Sequence, residues 1–161
     1  LNEEHAKQLI GYADADWGGD VNDRKSNTGY CFKYLGAPIS WVSRKQSMVT
    51  LSSTEAEYIA LVEAIQEALW IVRILKDLDE ELMGPVIIYE DNQSCIRMLQ
   101  NERCSQRTKH IATKYHFIRN LYRSGEIDVR YCPSETMIAD LLTKPLGPIK
   151  IKQFTRDIGL L

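Results

Sequence analysis

The chain has 161 residues, of which 44% are hydrophobic and 26% charged, with a formal net charge of −2. That length and balance suit one soluble globular domain with a sizeable core, and they exclude a disordered or low-complexity chain. No apolar run approaches the roughly 20 residues needed to cross a bilayer, and Leu1 to Lys7 carry no signal-peptide pattern, so no membrane partner is expected.

The first residue is Leu1 rather than Met, as expected of a piece of a longer polypeptide. The four cysteines, Cys31, Cys95, Cys104 and Cys132, are widely spaced and form no C-x-x-C pair. With only three histidines at unhelpful spacings, a zinc site is disfavoured, and reduced intracellular thiols are expected.

In chain order, Gln8 to Tyr12 reads as a strand entering a polar stretch, Asp14 to Ser26. Thr28 to Leu35 alternates and is aromatic-rich, Gly36-Ala37-Pro38 reads as a turn, and Ile39 to Ser43 as its hairpin partner. Ser52 and Glu55 have capping-box spacing at the head of a long helix reaching about Lys76. On it Ala60, Leu61, Ala64, Ala68, Ile71, Val72 and Leu75 share one face.

Gly84-Pro85 breaks the chain, and Val86 to Tyr89 is an apolar run typical of a strand buried on both faces. Asn92 to Gln100 and Thr113 to Ser124 read as helices, and Ile127 to Tyr131 as a last strand. Pro133-Ser134 should start a C-terminal helix containing Met137 to Leu142. A meander followed by alternating helices and strands implies a mixed α/β sheet with helices on both faces.

Acids stand where a core is expected. Asp14 follows an apolar strand, Asp91 lies at the carboxyl end of a buried one, and Asp140 is flanked by Ile138, Ala139, Leu141 and Leu142. Glu57 continues the apolar stripe of the long helix, so it points toward the sheet, whereas the capping box accounts for Glu55. Buried carboxylates repel one another unless cations neutralise them, and hard oxygen ligands favour Mg²⁺ or Mn²⁺ over zinc. Two such ions can activate water and stabilise the leaving oxygen of a phosphodiester, which is nuclease chemistry. The three aspartates also have plainer readings. Asp14 and Asp16 suit a polar turn, Asp91-Asn92 suits a helix N-cap, and Asp140 suits a solvent-facing position.

Five motifs are similar to those of one family. They are Tyr12-Ala13-Asp14-Ala15-Asp16-Trp17, Ser52 to Tyr58 with Glu57, and Glu90-Asp91-Asn92-Gln93-Ser94. Arg107-Thr108-Lys109-His110-Ile111 with Tyr115 to Arg119, and Ala139-Asp140-Leu141-Leu142-Thr143-Lys144-Pro145-Leu146, complete the set in order. Together the chain resembles the ribonuclease H domain of Ty1/copia-type retrotransposons, the C-terminal part of a Gag-Pol polyprotein. The resemblance implies a ribonuclease H-like fold, a five-stranded mixed sheet with three antiparallel and two parallel strands and helices on both faces. The motifs span about Ile10 to Leu146, and residues 1–161 are expected to form a single domain, with a core of about 8–146 and a tail helix over 147–161.

The resemblance also implies roles. Asp14, Glu57, Asp91 and Asp140 would be catalytic and metal-binding, holding two Mg²⁺ ions with Mn²⁺ as a substitute. Asp14 would bridge both ions, Glu57 and Asp91 would complete one site and Asp140 the other; Asp16 and Glu55 rank second. The stretch Cys132 to Thr136 lacks the histidine that many cellular ribonucleases H carry there, and Glu90 beside Asp91 adds a further acid.

Between Glu102 and Glu126 no acid interrupts Arg103, Arg107, Lys109, His110, Lys114, His116, Arg119 and Arg123, a block suited to a phosphate backbone. Arg107, Lys109 and His110 are the expected backbone contacts, and Asn92, Gln93 and Ser94 candidates for reading the 2′-OH of RNA. His116, Trp41 and Trp70 are expected to pack, and Arg24, Lys25, Arg44 and Lys45 to form a weaker basic set.

The implied activity is metal-dependent endoribonuclease cleavage of the RNA strand of RNA–DNA hybrids during reverse transcription. The implied partners are the hybrid and the reverse transcriptase of the same polyprotein, and the implied setting is a cytoplasmic virus-like particle or the nucleus. A catalytically inactive nucleic-acid or protein-binding module is the alternative, and a DNA-acting enzyme of related fold a third reading.

Overall fold

The computed structural model describes residues 7–100 and 109–160, and for 109–115 the helix they form but not their side chains. Cys104 and Arg107 lie outside the described residues, as do the side chains of Lys109 and His110.

The strands β1 (Ile10–Asp16), β2 (Asn27–Tyr34) and β3 (Ala37–Lys45) precede the long helix α1 (Ser53–Asp77). Then come β4 (Val86–Glu90), α2 (Gln93–Gln100), α3 (Lys109–Arg123), β5 (Ile127–Tyr131), a single turn α4 (Asp140–Thr143) and α5 (Pro148–Ile158). The sheet order is β3-β2-β1-β4-β5. β1, β2 and β3 pair antiparallel, while β4 pairs parallel with both β1 and β5. This is the expected five-stranded mixed sheet.

Alternation along β1 divides its side chains between two faces. Leu9 and Ala13 join the main core with Leu61, Ile65, Ile88, Leu99, Ile118 and Leu121, so α1, α2 and α3 cover one face. Tyr12 turns to the other face, against Ile138, Phe154 and Ile158. Phe154 is fully buried, which stabilises by roughly 1.5–3 kcal/mol. The segment expected as a tail helix therefore closes the second face.

Several boundaries differ from the sequence reading for identifiable reasons. β1 runs on to Asp16 because Asp14, Ala15 and Asp16 keep pairing with Gly29, Thr28 and Asn27 of β2. The β2–β3 hairpin turns on Leu35-Gly36, both at positive φ (52° and 81°), rather than on Gly36-Ala37-Pro38. The expected last helix shrinks to one turn. Thr136, Asp140, Leu141 and Leu142 donate their amides three residues back, making a chain of tight turns from Pro133 onward. The capping box forms with a twist. The Glu55 amide donates to Ser52 Oγ at 3.2 Å, but the Glu55 carboxylate accepts from the Leu51 amide at 2.7 Å, not from Ser52.

Trp41 and Trp70 do not pack as expected; they are 62% and 56% exposed. His116 is also exposed rather than packed. Each sits on a surface to which no described element is fitted, and amphipathic periodicity cannot tell a covered face from an open one. Cys31, Cys95 and Cys132 are buried free thiols. Among the described residues, no helix is long and apolar enough to cross a membrane.

Candidate metal centre

Three elements deliver acids to one edge of the sheet. β1 and β4 pair in parallel only as far as Tyr12 opposite Tyr89, whose rings stack with centroids 5.1 Å apart. Beyond that pair the ladder ends, and the carboxyl ends of the two strands form the crevice position where such sheets usually take ligands. Asp14 enters it from β1, and Asp91 from the residue just past β4. Glu57 comes from the first turns of α1, which packs close to β1 where the small side chains of Ala15, Ala56 and Ala60 meet. One oxygen from each of Asp14, Glu57 and Asp91 lies within 4.8 Å of the others.

Each carboxylate is held. Glu57 Oε2 accepts the Ala15 amide at 2.7 Å, and Asp91 Oδ2 accepts the Ser134 hydroxyl at 2.6 Å. Asp14 is fully buried and accepts the Thr143 hydroxyl at Oδ2 and the Lys144 ammonium at Oδ1, the latter at 3.0 Å.

Asp140 joins through Lys144. Its Oδ1 accepts the same ammonium at 2.7 Å, and Lys150 lies 3.6 Å from Oδ2. Asp140 is 3% exposed, so the solvent-facing reading falls. The placement follows from Gly29, which pairs with Asp14 in register. A Cβ on Gly29 would stand 2.6 Å from Thr143 Cγ2 and 2.9 Å from Leu142 Cβ, so only glycine lets α4 settle on β2 beside Asp14.

Burial and mutual repulsion act together on these acids. Burial, then the charges of Glu90, Asp14 and Asp91, push Glu57 up to about 10. Burial also raises Asp14 above the usual carboxylate range, against the pull of Lys144. For Lys144, burial pulls downward, but the charges of Asp14 and Asp140 outweigh it and hold the ammonium above its ordinary range. Glu90 is fully buried; its Oε1 accepts the Asn92 amide at 3.0 Å, while its Oε2 has no partner among the described residues. Burial pushes Glu90 well above its ordinary value, against the pull of the Asn92 amide. Hard-oxygen donors as close together as those of Asp14, Glu57 and Asp91 fit Mg²⁺ or Mn²⁺.

Of the expected nucleic-acid contacts, Gln93 and Ser94 are exposed in the first turn of α2, next to Asp91. Asn92 is committed elsewhere, since its Oδ1 caps α2 by accepting the Cys95 amide at 3.0 Å. Two of the second basic set are paired with acids: Arg44 lies 3.0 Å from Glu63, and Lys45 pairs with Asp20 and Asp23. Trp17 is 49% exposed and donates its indole N–H to Thr50 O at 3.4 Å.

Sequence reasoning passed over Thr143, Lys144, Lys150 and Ser134. Lys144 was findable, because it follows Asp140 by four residues and so faces it across one helical turn.

Comparison with known proteins supplies the family. The chain is 42% identical to the retrovirus-related Pol polyprotein from transposon RE2 of Arabidopsis thaliana, over 100% of this chain and 11% of that protein. It is 43% identical to the corresponding polyprotein from transposon TNT 1-94 of Nicotiana tabacum, over 94% of this chain and 11% of that one. The chain belongs to the Pol polyproteins of Ty1/copia-type retrotransposons. No family model matches this Pol segment. It spans 11% of the length of the curated relatives named above.

Solved structures agree on the fold of the Pol segment, which is ribonuclease H-like. LC11-RNase H1, isolated from compost, superposes with a TM-score of 0.64 at 19% identity, over 85% of this segment and 93% of that chain. The same enzyme in complex with an RNA/DNA hybrid gives a TM-score of 0.60 at 17% identity, over 84% and 94%. Prototype foamy virus protease-reverse transcriptase gives 0.56 at 15% identity, over 100% of this segment and 22% of that chain.

Proposed function

We propose that this Pol segment is a single-domain, divalent-metal-dependent ribonuclease H that hydrolyses the RNA strand of RNA–DNA hybrids during reverse transcription. The observation that carries the proposal is the convergence of Asp14, Glu57 and Asp91 within 4.8 Å at the carboxyl ends of β1 and β4. A fold shared with an enzyme crystallised on an RNA/DNA hybrid supports it.

Asp14, Glu57 and Asp91 would hold the ion, and Asp140 belongs to the same catalytic set through its link to Asp14. Bound Mg²⁺ or Mn²⁺ would supply the positive charge that activates water and stabilises the departing oxygen. The chain's own groups preset the ligands: the Ala15 amide orients Glu57, Ser134 orients Asp91 and Thr143 orients Asp14. Locking ligand oxygens in this way tunes affinity and geometry. Gln93 and Ser94, exposed beside Asp91, would meet the hybrid near the scissile phosphate. Arg107, Lys109 and His110 would contact its backbone, giving salt-sensitive binding. The reverse transcriptase portion of the same polyprotein would present the hybrid, in a cytoplasmic virus-like particle or the nucleus.

The test is incubation of the purified chain with a labelled hybrid, with Mg²⁺, with Mn²⁺ and with EDTA, beside Asp14→Asn. The expected result is metal-dependent loss of the RNA strand alone, abolished in Asp14→Asn. A hybrid that binds but stays intact with either metal transfers the assignment to a non-catalytic binding module.

A further inference from the structure

The acidic crevice has two unlike halves. On one side Glu57 and Asp91 each spend one oxygen, on the Ala15 amide and the Ser134 hydroxyl. Their other oxygens, Glu57 Oε1 and Asp91 Oδ1, carry no hydrogen bond among the described residues. On the other side every oxygen of Asp14 and Asp140 faces a donor from the segment 143–150. Thr143 donates to Asp14 Oδ2, Lys144 to both Oδ1 atoms at 3.0 and 2.7 Å, and Lys150 stands 3.6 Å from Asp140 Oδ2.

The Lys144 ammonium therefore sits where one cation touches both Asp14 and Asp140. It is two-thirds covered, with its side chain 33% exposed, and it is anchored at both ends. The turn that carries it is fixed independently. α4 rests on Gly29, the Ser43 hydroxyl donates to Leu142 O at 2.6 Å, and the Lys144 amide donates to Asp140 O at 3.0 Å. An ammonium and a divalent ion cannot occupy the same pair of oxygens, because like charges at such contact repel strongly in a buried site.

We propose that Lys144 is an internal counter-ion that fills the second cation position of this centre. The free chain then takes up one divalent ion, between Asp14, Glu57 and Asp91. A second enters between Asp14 and Asp140 only once the ammonium has left. Lys144 is a positioning residue in this scheme: it acts on the reaction through Asp14 and Asp140. The inference rests on the metal-centre reading above, and it adds that the lysine of the closing Ala139-to-Leu146 motif sets how many ions are loaded.

The test counts ions on the full chain by Mn²⁺ titration with electron paramagnetic resonance, with no nucleic acid present. Wild type should bind one Mn²⁺ per chain, and Lys144→Met should gain a second at least about tenfold tighter than any second event in wild type. Lys144→Arg, which restores the cation, should return to one. In EDTA the Met variant should melt below wild type, and Mn²⁺ should raise its melting temperature by more. Asp140→Asn, a nearly isosteric change that does not depend on the Met variant folding, should keep the single ion with affinity within about threefold. Two ions of similar affinity in wild type, or loss of the first ion in Asp140→Asn, overturns the role of Lys144 alone. No ion in wild type overturns the metal-centre reading itself.

Discussion

The amide of Ala15 donates to Glu57 Oε2 at 2.7 Å, pinning the start of α1 to β1 one residue beyond Asp14. The bond needs an oxygen acceptor and not a charge, so it separates the structural role of Glu57 from its metal role. Glu57→Gln keeps the acceptor and removes a carboxylate from a crowded acidic crevice. Its metal-free form should be at least as stable as wild type, while Mn²⁺ affinity falls about 10–100-fold. Glu57→Ala loses the acceptor as well and strands a buried amide, costing about 1–3 kcal/mol. Thermal melts in EDTA beside Mn²⁺ titrations check both. A Gln variant that melts well below wild type would show the charge itself to be structural.

The acids of this crevice also set a pH dependence for the metal-free protein. Glu57 is pushed up to about 10 in the fold, first by burial, and Glu90 is raised well above the carboxylate range for the same reason. Unfolded, both release their protons near the ordinary glutamate value of about 4.3. Between that value and about 10 the folded state binds more protons than the unfolded state, so stability falls as pH rises. In EDTA the melting temperature should be lower at about pH 8.5 than at about pH 5.5, by about 3 °C or more. Added Mg²⁺ should flatten or reverse that slope, because binding takes the ionised acids and grows stronger with pH. A melting temperature that climbs with pH in EDTA would contradict this.

The parts of the molecule that were legible in the sequence are those where one periodic face meets one core. The apolar stripe of α1 placed Glu57 toward the sheet, and the apolar run Val86 to Tyr89 put Asp91 at a strand end; both positions hold. Less legible were features decided by contacts far apart in the chain. Asp14 lies within a strand and not after it because β2 continues to pair with it, which only the register reveals. Lys144 drew no notice as a site residue, since a lysine next to Pro145 reads as surface until the fold sets Asp14 beside it. Trp41 and Trp70 look like core by composition, yet both are more than half exposed, because hydrophobicity alone does not say whether a partner surface is present.

The β2–β3 hairpin offers a stability change remote from the crevice. Leu35 and Gly36 are the two loop residues between Tyr34 and Ala37, at φ 52° and 81°. Two positive φ values make the turn that matches strand twist, for which Asn-Gly is the preferred pair. Leu35 bears a Cβ strained in that region, at about 1–2 kcal/mol, and its side chain is 58% exposed. Leu35→Asn should stabilise by about 0.5–1 kcal/mol, read as a melting temperature about 1–4 °C higher, with hybrid cleavage unchanged. A lower melting temperature would mean that the Leu35 side chain contributes packing that outweighs its backbone strain.

Gly29 ties the fold to the chemistry most directly. A methyl group there would meet Thr143 Cγ2 at 2.6 Å, Leu142 Cβ at 2.9 Å and Ala139 O at 3.2 Å. The obstacles are a helical turn and its backbone rather than the tip of a long side chain, so α4 itself must move. Overpacking of this kind costs about 1–3 kcal/mol, or about 2–12 °C in melting temperature for a chain of this size. The displaced turn carries Asp140, Thr143 and Lys144, so the hydroxyl and ammonium contacts to Asp14 loosen together. Gly29→Ala should therefore lower hybrid cleavage well beyond the loss of folded protein, measured at a temperature where the variant is still folded. It should also weaken the coupling between Asp14 and Asp140, so that a second Mn²⁺ binds more readily than in wild type. Full activity in a stable Gly29→Ala protein would show that the seat of α4 on β2 does not set the geometry of the acidic crevice.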